Sequence, residues 1–299
     1  MLVGHNDAKI ISVFDLDTMQ ESTPIRMPGS FYPRSVAVSG RSILAASRVA
    51  GPQNQISRID FDTNSGAFHF VVPPQWERRT NEIVVDGKLD GDKLTGTVPN
   101  DAGKAVPWEG HHAPSLVRDH APKWGKPIEL FNGRDLTGWT ARHADAKHGW
   151  RVENGLLANA NPGNDLMTEQ KFNDFKLHAE FRYPKGANSG IYLRGRYEAQ
   201  IEDDYGMEPE SHLIGGIYGF LTPRVNSAEQ AGEWQTMDIT LVGRIITVVL
   251  NGEPIIERQA IPGITGGALD SDEEKPGPIL IQGDHGKVEF KHLTLTPAE

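Results

Sequence analysis

The sequence predicts an all-β protein, a two-sheet sandwich preceded by a smaller β-rich region. Three observations predict it. Strand-length runs with period-two alternation recur along the chain, and 32 Gly and 20 Pro punctuate them as turn signals. No stretch has a convincing helical period, and only Glu208–Leu213 and Ser227–Ala231 leave room for a short helical turn. About a dozen strands with apolar faces in the last part of the chain are most simply buried as two packed sheets.

At 299 residues the chain has room for more than one domain. Residues 1–66 form the first segment. Ile11-Ser12-Val13-Phe14-Asp15-Leu16-Asp17-Thr18 returns as Ile56-Ser57-Arg58-Ile59-Asp60-Phe61-Asp62-Thr63, a spacing of 45 residues that suits a propeller blade. Two such matches make an open fragment whose edges need cover. Two unrelated hairpins with Asp-Thr turns explain the same pattern.

Residues 67–125 read as a small antiparallel sheet and a linker. The strands expected are Phe68–Val72, Glu82–Val85 and Lys93–Val98, with turns at Asp86-Gly87 and Asp90-Gly91. From Pro107 to Pro127 the prolines, histidines and tryptophans follow no period, which predicts an ordered linker.

Residues 126–299 make the sandwich. Phe175 to Tyr183 alternates almost perfectly, with Phe175, Leu177, Ala179, Phe181 and Tyr183 inward. Asn251-Gly252 between two apolar runs predicts a tight type I′ hairpin, because both residues tolerate positive φ.

Composition narrows the function. Lys and Arg total 30 against 40 Asp and Glu, a formal charge of −10, and no dense basic cluster offers a surface to nucleic acid or anionic membrane. Without cysteine, thiolate metal sites and cysteine nucleophiles are excluded. No apolar run reaches the roughly 18 residues of a spanning helix, so no membrane insertion is expected. Met1 to Asn6 enters a strand-like run without a basic start or apolar core, so no export signal is expected in this sequence. The sequence sets neither compartment nor oligomeric state.

Six blocks then occur in order: Leu130 to Trp139 (LFNGRDLTGW), Trp150 to Leu157 (WRVENGLL), Asn188 to Gly195 (NSGIYLRG), Tyr197 to Ile201 (YEAQI), Ala231 to Gln235 (AGEWQ) and Gln282 to Gly286 (QGDHG). Together they resemble the 3-keto-disaccharide hydrolase domain family. The resemblance implies a concanavalin A-like jelly-roll sandwich with a saccharide groove on its concave sheet. It also implies a carbohydrate substrate, a glycoside oxidised to a ketone at carbon 3, and a bacterial periplasmic or extracellular setting. Fold alone does not decide function. A non-catalytic carbohydrate-binding module on the same sandwich is the alternative.

A ketone at carbon 3 acidifies the hydrogen on carbon 2, so a base can form an enolate that expels the carbon-1 substituent before water adds. Such a site needs a base, an acid, a partner for the enolate oxygen and donors for the hydroxyls. Period-two alternation puts Arg194, Arg196, Glu198 and Gln200 on one face of a strand and Leu193, Tyr197, Ala199 and Ile201 on the other. Glu198 is the acid/base or metal-ligand candidate, Arg194 the partner for the keto or enolate oxygen, and Gln200 a hydroxyl ligand, with Arg196 beside them. His285 is the candidate general base, oriented by Asp284 in a turn freed by flanking glycines. Tyr218 is a candidate sugar contact. Asp203, at the end of the same strand, joins Glu198 as a candidate ligand for a divalent cation, Ca²⁺ or Mn²⁺ by its oxygen chemistry. Ile261 to Gly277 reads either as a lid beside the groove or as a solvated loop.

Overall fold

The structure, a computed structural model, describes residues 60–72, 82–91, 93–100, 103–111 and 115–299, and the backbone of five strands between residues 2 and 45. The chain divides into two compact units, Met1–Pro114 and Ser115–Glu299.

In the first unit β1 (Leu2–His5), β2 (Ile10–Phe14) and β3 (Glu21–Arg26) form one antiparallel sheet, and β4 (Val36–Ser39) pairs with β5 (Ser42–Ala45). Half of the blade-like repeat at 11–19 and 56–64, residues 15–19 and 56–59, lies outside the described residues. A five-stranded meander follows: β6 (Asp60–Phe61), β7 (Ala67–Val72), β8 (Ile83–Asp90), β9 (Lys93–Pro99) and β10 (Ala105–His111). It therefore spans the expected boundary at residue 66. Two expectations change. Asp86-Gly87 lies inside β8, because the Phe68 ring covers Gly87 so closely that a Cβ there would stand 2.3 Å from it. Ala105 to His111 is a strand on β9 and not linker, with Trp108 opposite Gly96. The turn at Gly91 is as expected, with φ +60°.

The second unit has thirteen strands and, among the described residues, no helix. They are β11 (Ile128–Glu129), β12 (Trp139–Ala141), β13 (Trp150–Glu153), β14 (Leu156–Asn159), β15 (Leu166–Thr168), β16 (Phe175–Arg182), β17 (Asn188–Leu193), β18 (Tyr197–Glu202), β19 (Gln235–Val242), β20 (Ile245–Leu250), β21 (Glu253–Ala260), β22 (Leu280–Ile281) and β23 (Val288–Pro297). One sheet runs β13-β14-β23-β16-β19-β20-β21, with β11 on β23, and the other runs β12-β15-β22-β17-β18. This is the two-sheet jelly-roll sandwich, of concanavalin A type.

Alternation sets the core. Phe175, Leu177, Ala179 and Phe181 of β16 are buried while Lys176 between them is exposed. Each such large side chain is worth roughly 1.5–3 kcal/mol of burial. Asn251 and Gly252 connect β20 to β21 at φ +51° and +81°, the two left-handed residues of a type I′ turn.

Candidate active site

The β17–β18 hairpin sets the site. Arg194 and Gly195 in its connection take φ of +53° and +67°, so alternation stops at Leu193 and restarts at Tyr197. Leu193 lies opposite Tyr197, Tyr192 opposite Glu198, and Gly190 opposite Gln200. Directly paired residues share a sheet face. Leu193, Ile191, Tyr197, Ala199 and Ile201 fill the core, all wholly buried. The opposite face carries Tyr192, Gly190, Glu198, Gln200 and Glu202.

Neighbouring segments extend that face on both sides. On one side Gly215 N–H donates to the Gln200 carbonyl, Gln200 N–H to the Gly216 carbonyl and Tyr218 N–H to the Glu198 carbonyl, each at 2.9 Å. Because Ala199 is bridged to Ile217 in the core, Tyr218 stands on the Glu198 face. On the other side Gln282 N–H donates to the Gly190 carbonyl at 2.9 Å, continuing the β17–β22 ladder and putting Gln282 opposite Gly190.

Glu198 and Gln200 thus occupy the face expected of them. Arg194 and Arg196 do not. Arg194 is fully buried, and its Nη2 donates to the Tyr197 hydroxyl at 3.1 Å and the Gly243 carbonyl at 2.8 Å. Its guanidinium lies 5.2 Å from the Tyr197 ring centroid. Arg196 is 2% exposed, and its Nε donates to Asp270 at 2.6 Å and its Nη1 to the Lys275 carbonyl at 2.9 Å. Both belong to the turn, where the period-two count does not apply. Arg196 is held by Asp270 and the Lys275 carbonyl, whereas Arg194 bonds through Nη2 alone and its Nε and Nη1 have no partner among the described residues.

Glu198 is 3% exposed. Its side chain lies over Gly190, where a Cβ would come within 2.4 Å of Oε1. This close approach is why position 190 carries a glycine. The Tyr192 hydroxyl is 2.9 Å from Glu198 Oε2 and the Thr265 hydroxyl 3.0 Å from Glu198 N–H. Burial pushes the Glu198 carboxyl up to about 8, opposed by the Tyr192 hydrogen bond and reinforced by the charges of Asp165 and Asp284. A carboxyl in this range is largely protonated at neutral pH and is an effective proton donor.

Asp284 and His285 occupy the turn after β22, both exposed, with His285 Nδ1 2.5 Å from Asp284 Oδ1. Buried partners hold that turn. Asn159 Nδ2 donates to the carbonyls of Gly283 and Gly286 at 2.8 Å, and Gly283 N–H donates to Asp165 Oδ1 at 2.9 Å. Asp165 is itself paired with Arg142 at 3.0 Å. Asp284 accepting Nδ1–H leaves Nε2 of His285 as the basic atom.

Asp203 is used otherwise. Its Oδ2 accepts the Gly186 N–H at 2.8 Å, and its charge is not among those acting on Glu198. Neighbouring Asp204 is 2% exposed and accepts the Ile214 N–H at 2.7 Å, and burial pushes its carboxyl up to about 6. Among the described residues no three His, Cys, Asp or Glu side chains are placed to hold a metal ion. Glu198 and Asp203, the pair expected to hold a cation, are hydrogen-bonded separately, Glu198 with the Tyr192 hydroxyl and Asp203 with the Gly186 N–H.

The segment from Ile261 to Gly277 is neither a free lid nor a solvated loop. The Thr265 hydroxyl donates to the Arg196 carbonyl at 3.1 Å, Leu269 N–H donates to the Gly195 carbonyl at 2.8 Å, and Glu273 accepts from the Tyr197 hydroxyl at 2.6 Å. It is a strap pinned across the β17–β18 turn. From the sequence Tyr192 reads as a sugar-stacking ring or, more simply, as core, not as a partner of Glu198, and neither Asp165 nor Thr265 stands out. Only Tyr192 had a usable signal: a three-residue hairpin connection at 194–196 places it directly opposite Glu198.

The family model for a 3-keto-alpha-glucoside-1,2-lyase-like domain matches residues 126–296. A protein of Bacteroides thetaiotaomicron named 3-keto-disaccharide hydrolase is 32% identical over 166 residues, covering 44% of this chain and 57% of the relative. The chain thus spans a little over half of that relative's length. Among solved structures, a Parabacteroides distasonis protein provisionally termed a glycosyl hydrolase aligns at 29% identity and a TM-score of 0.48, covering 56% of this chain and 82% of its own. The carbohydrate-binding module CBM66 of Bacillus subtilis aligns at 11% identity and a TM-score of 0.36, covering 53% and 94%. With more than half of its residues inside the family match, the chain belongs to the 3-keto-alpha-glucoside-1,2-lyase-like domain family.

Proposed function

We propose that the unit at 115–299 cleaves the glycosidic bond of 3-keto-glycosides by removing the C2 proton, expelling the C1 substituent and adding water. Family membership and the name of the Bacteroides relative support the substrate class. The observation that carries the reading is Glu198, a buried carboxyl raised to about 8 on the polar sheet face, within the field of the Asp284 that holds His285.

In this reading His285 Nε2 takes the C2 proton and the ketone accepts the resulting charge as an enolate. The enolate re-forms the ketone and a C1=C2 double bond as the C1–O bond breaks. The leaving oxygen carries away that electron pair and takes the proton of Glu198. Water then adds at C1 and a proton returns to C2, giving the free 3-keto-sugar. Gln200 and Tyr218, on the same face as Glu198, hold the ring.

The test is release of the aglycone from an aryl 3-keto-glucoside by the full chain. His285→Ala and Glu198→Gln are each expected to lower kcat by about 10²–10⁴-fold. Unaltered turnover in either variant would remove that residue from the mechanism. A wild type that binds unoxidised glucosides and releases nothing from the keto-sugar would be a binding module instead.

A further inference from the structure

Gln200 and Gln282 flank Gly190 in one cross-strand row, Gln200 through the β17–β18 ladder and Gln282 through its hydrogen bond to the Gly190 carbonyl. Two strand spacings separate them, about 10 Å between Cα atoms. Gly190 between them has no side chain, and the Glu198 side chain fills that gap, with Oε1 2.4 Å and Cγ 2.9 Å from where a Cβ would stand. The Oε1 atoms of both glutamines are buried, and neither has a hydrogen-bond partner among the described residues. Gln200 is 1% exposed, and its Nε2 donates to Glu202 Oε2 at 3.2 Å, which fixes the amide so that Oε1 is the atom turned away. Buried acceptors left unmet are costly, and two in one row beside a proton-handling group call for a ligand rich in donors.

We propose that Gln200 and Gln282 form a paired acceptor subsite that takes two hydroxyl groups of the sugar ring, one on either side of the Glu198 carboxyl. This deepens the proposed function and rests on it for the location of the ring. Two unmet acceptors flanking the acid select for free hydroxyls. A ring whose hydroxyl is absent or acylated leaves an amide oxygen buried and unpaired, the arrangement that discriminates most strongly between close analogues.

The experiment uses the full chain, methyl 3-keto-α-glucoside for turnover, and methyl α-glucoside with its monodeoxy analogues for binding by calorimetry. Gln282→Met keeps the length of the side chain and removes the acceptor. It is expected to raise KM and weaken glucoside binding about tenfold, with kcat within threefold of wild type. At least one deoxy position should cost the wild type about tenfold in affinity and cost Gln282→Met nothing further. Without sugar the variant should unfold at the same temperature or higher, since it loses an unmet acceptor and no bond. Unchanged KM and binding in Gln282→Met, in a chain that turns over the keto-sugar, would overturn the subsite and leave the function standing. Weakened binding in a chain that turns over nothing would uphold the subsite and remove the function. A wild type that neither binds nor cleaves any of these sugars sinks both, and a clear loss of stability in Gln282→Met would make the residue structural.

Discussion

The Tyr192 hydroxyl stands 2.9 Å from Glu198 Oε2 and also 2.9 Å from the carbonyl of Gly266. A hydroxyl has one proton, so it can serve only one of these acceptors at a time. When Glu198 is ionised, Tyr192 donates to it. When Glu198 is protonated, the carboxyl can donate to Tyr192, which then donates to Gly266, and each polar atom of the three has a partner. Donation by Tyr192 favours the ionised form and so opposes the rise, which comes from burial.

Tyr192→Phe removes the one hydrogen bond that opposes the rise. A hydrogen bond to a charged group is worth about 1.5–3 kcal/mol, or about one to two pKa units. If protonated Glu198 is the acid, kcat/KM falls as pH rises through about 8 in the wild type. In Tyr192→Phe that alkaline limb should move up by about one unit. Asp165 and Asp284 also face Glu198 and keep their charge in the variant, so a limb that stays in place would detach either Tyr192 or Glu198 from the rate.

The same carboxyl makes stability depend on pH. Its folded pKa, about 8, lies above the ordinary carboxyl value of 4.5. Its contribution is therefore fully present below about 4.5 and lost as pH rises through 8, with a slope of up to about 1.4 kcal/mol per unit. Asp204, raised from 3.8 to about 6, adds to the loss at the acid end of that window. Glu198→Gln cannot ionise and should gain stability relative to wild type between pH 5 and 9, measured by urea unfolding at each pH. Parallel curves for the two proteins would mean that Glu198 ionises in the fold without penalty.

The fold was legible wherever one strand face is buried, since a polar substitution there is costly and the pattern stays clean. Phe175 to Tyr183 and the Asn251-Gly252 turn are such places. The site was legible in part for a related reason. Glu198 and Gln200 keep strand alternation with the buried Ala199 and Ile201 and could be placed by counting. Arg194 and Arg196 could not, because two consecutive positive φ values reset the count and no local pattern announces them before the turn is known. Asp86-Gly87 misled in the opposite sense, since a glycine needed for a Phe68 ring looks the same in sequence as one needed for a turn. The strap was illegible because its anchors, Thr265 and Glu273, find partners more than sixty residues away.

Those anchors should differ in weight. Glu273 is 6% exposed, with Oε2 2.5 Å from Arg244 Nη2 and Oε1 2.6 Å from the Tyr197 hydroxyl, in the cluster that also encloses Arg194. Removing its charge leaves the half-buried Arg244 guanidinium without its counterion, a change that costs roughly 3 kcal/mol when the pair is enclosed. Asp270 holds Arg196 at 2.6 Å from the same strap, but its side chain is 47% exposed. The Arg196 side chain is itself 3% exposed, but it keeps its bond to the Lys275 carbonyl, and in Asp270→Asn the amide oxygen can still accept its Nε–H. The loss should therefore cost about 1–2 kcal/mol, less than at Glu273. Glu273→Gln should destabilise the full chain more than Asp270→Asn in urea unfolding, and the strap should become more open to proteolysis in the first variant than in the second. Equal losses would mean that the strap is held by its hydrogen bonds to the Arg196 and Gly195 carbonyls and not by the buried ion pair.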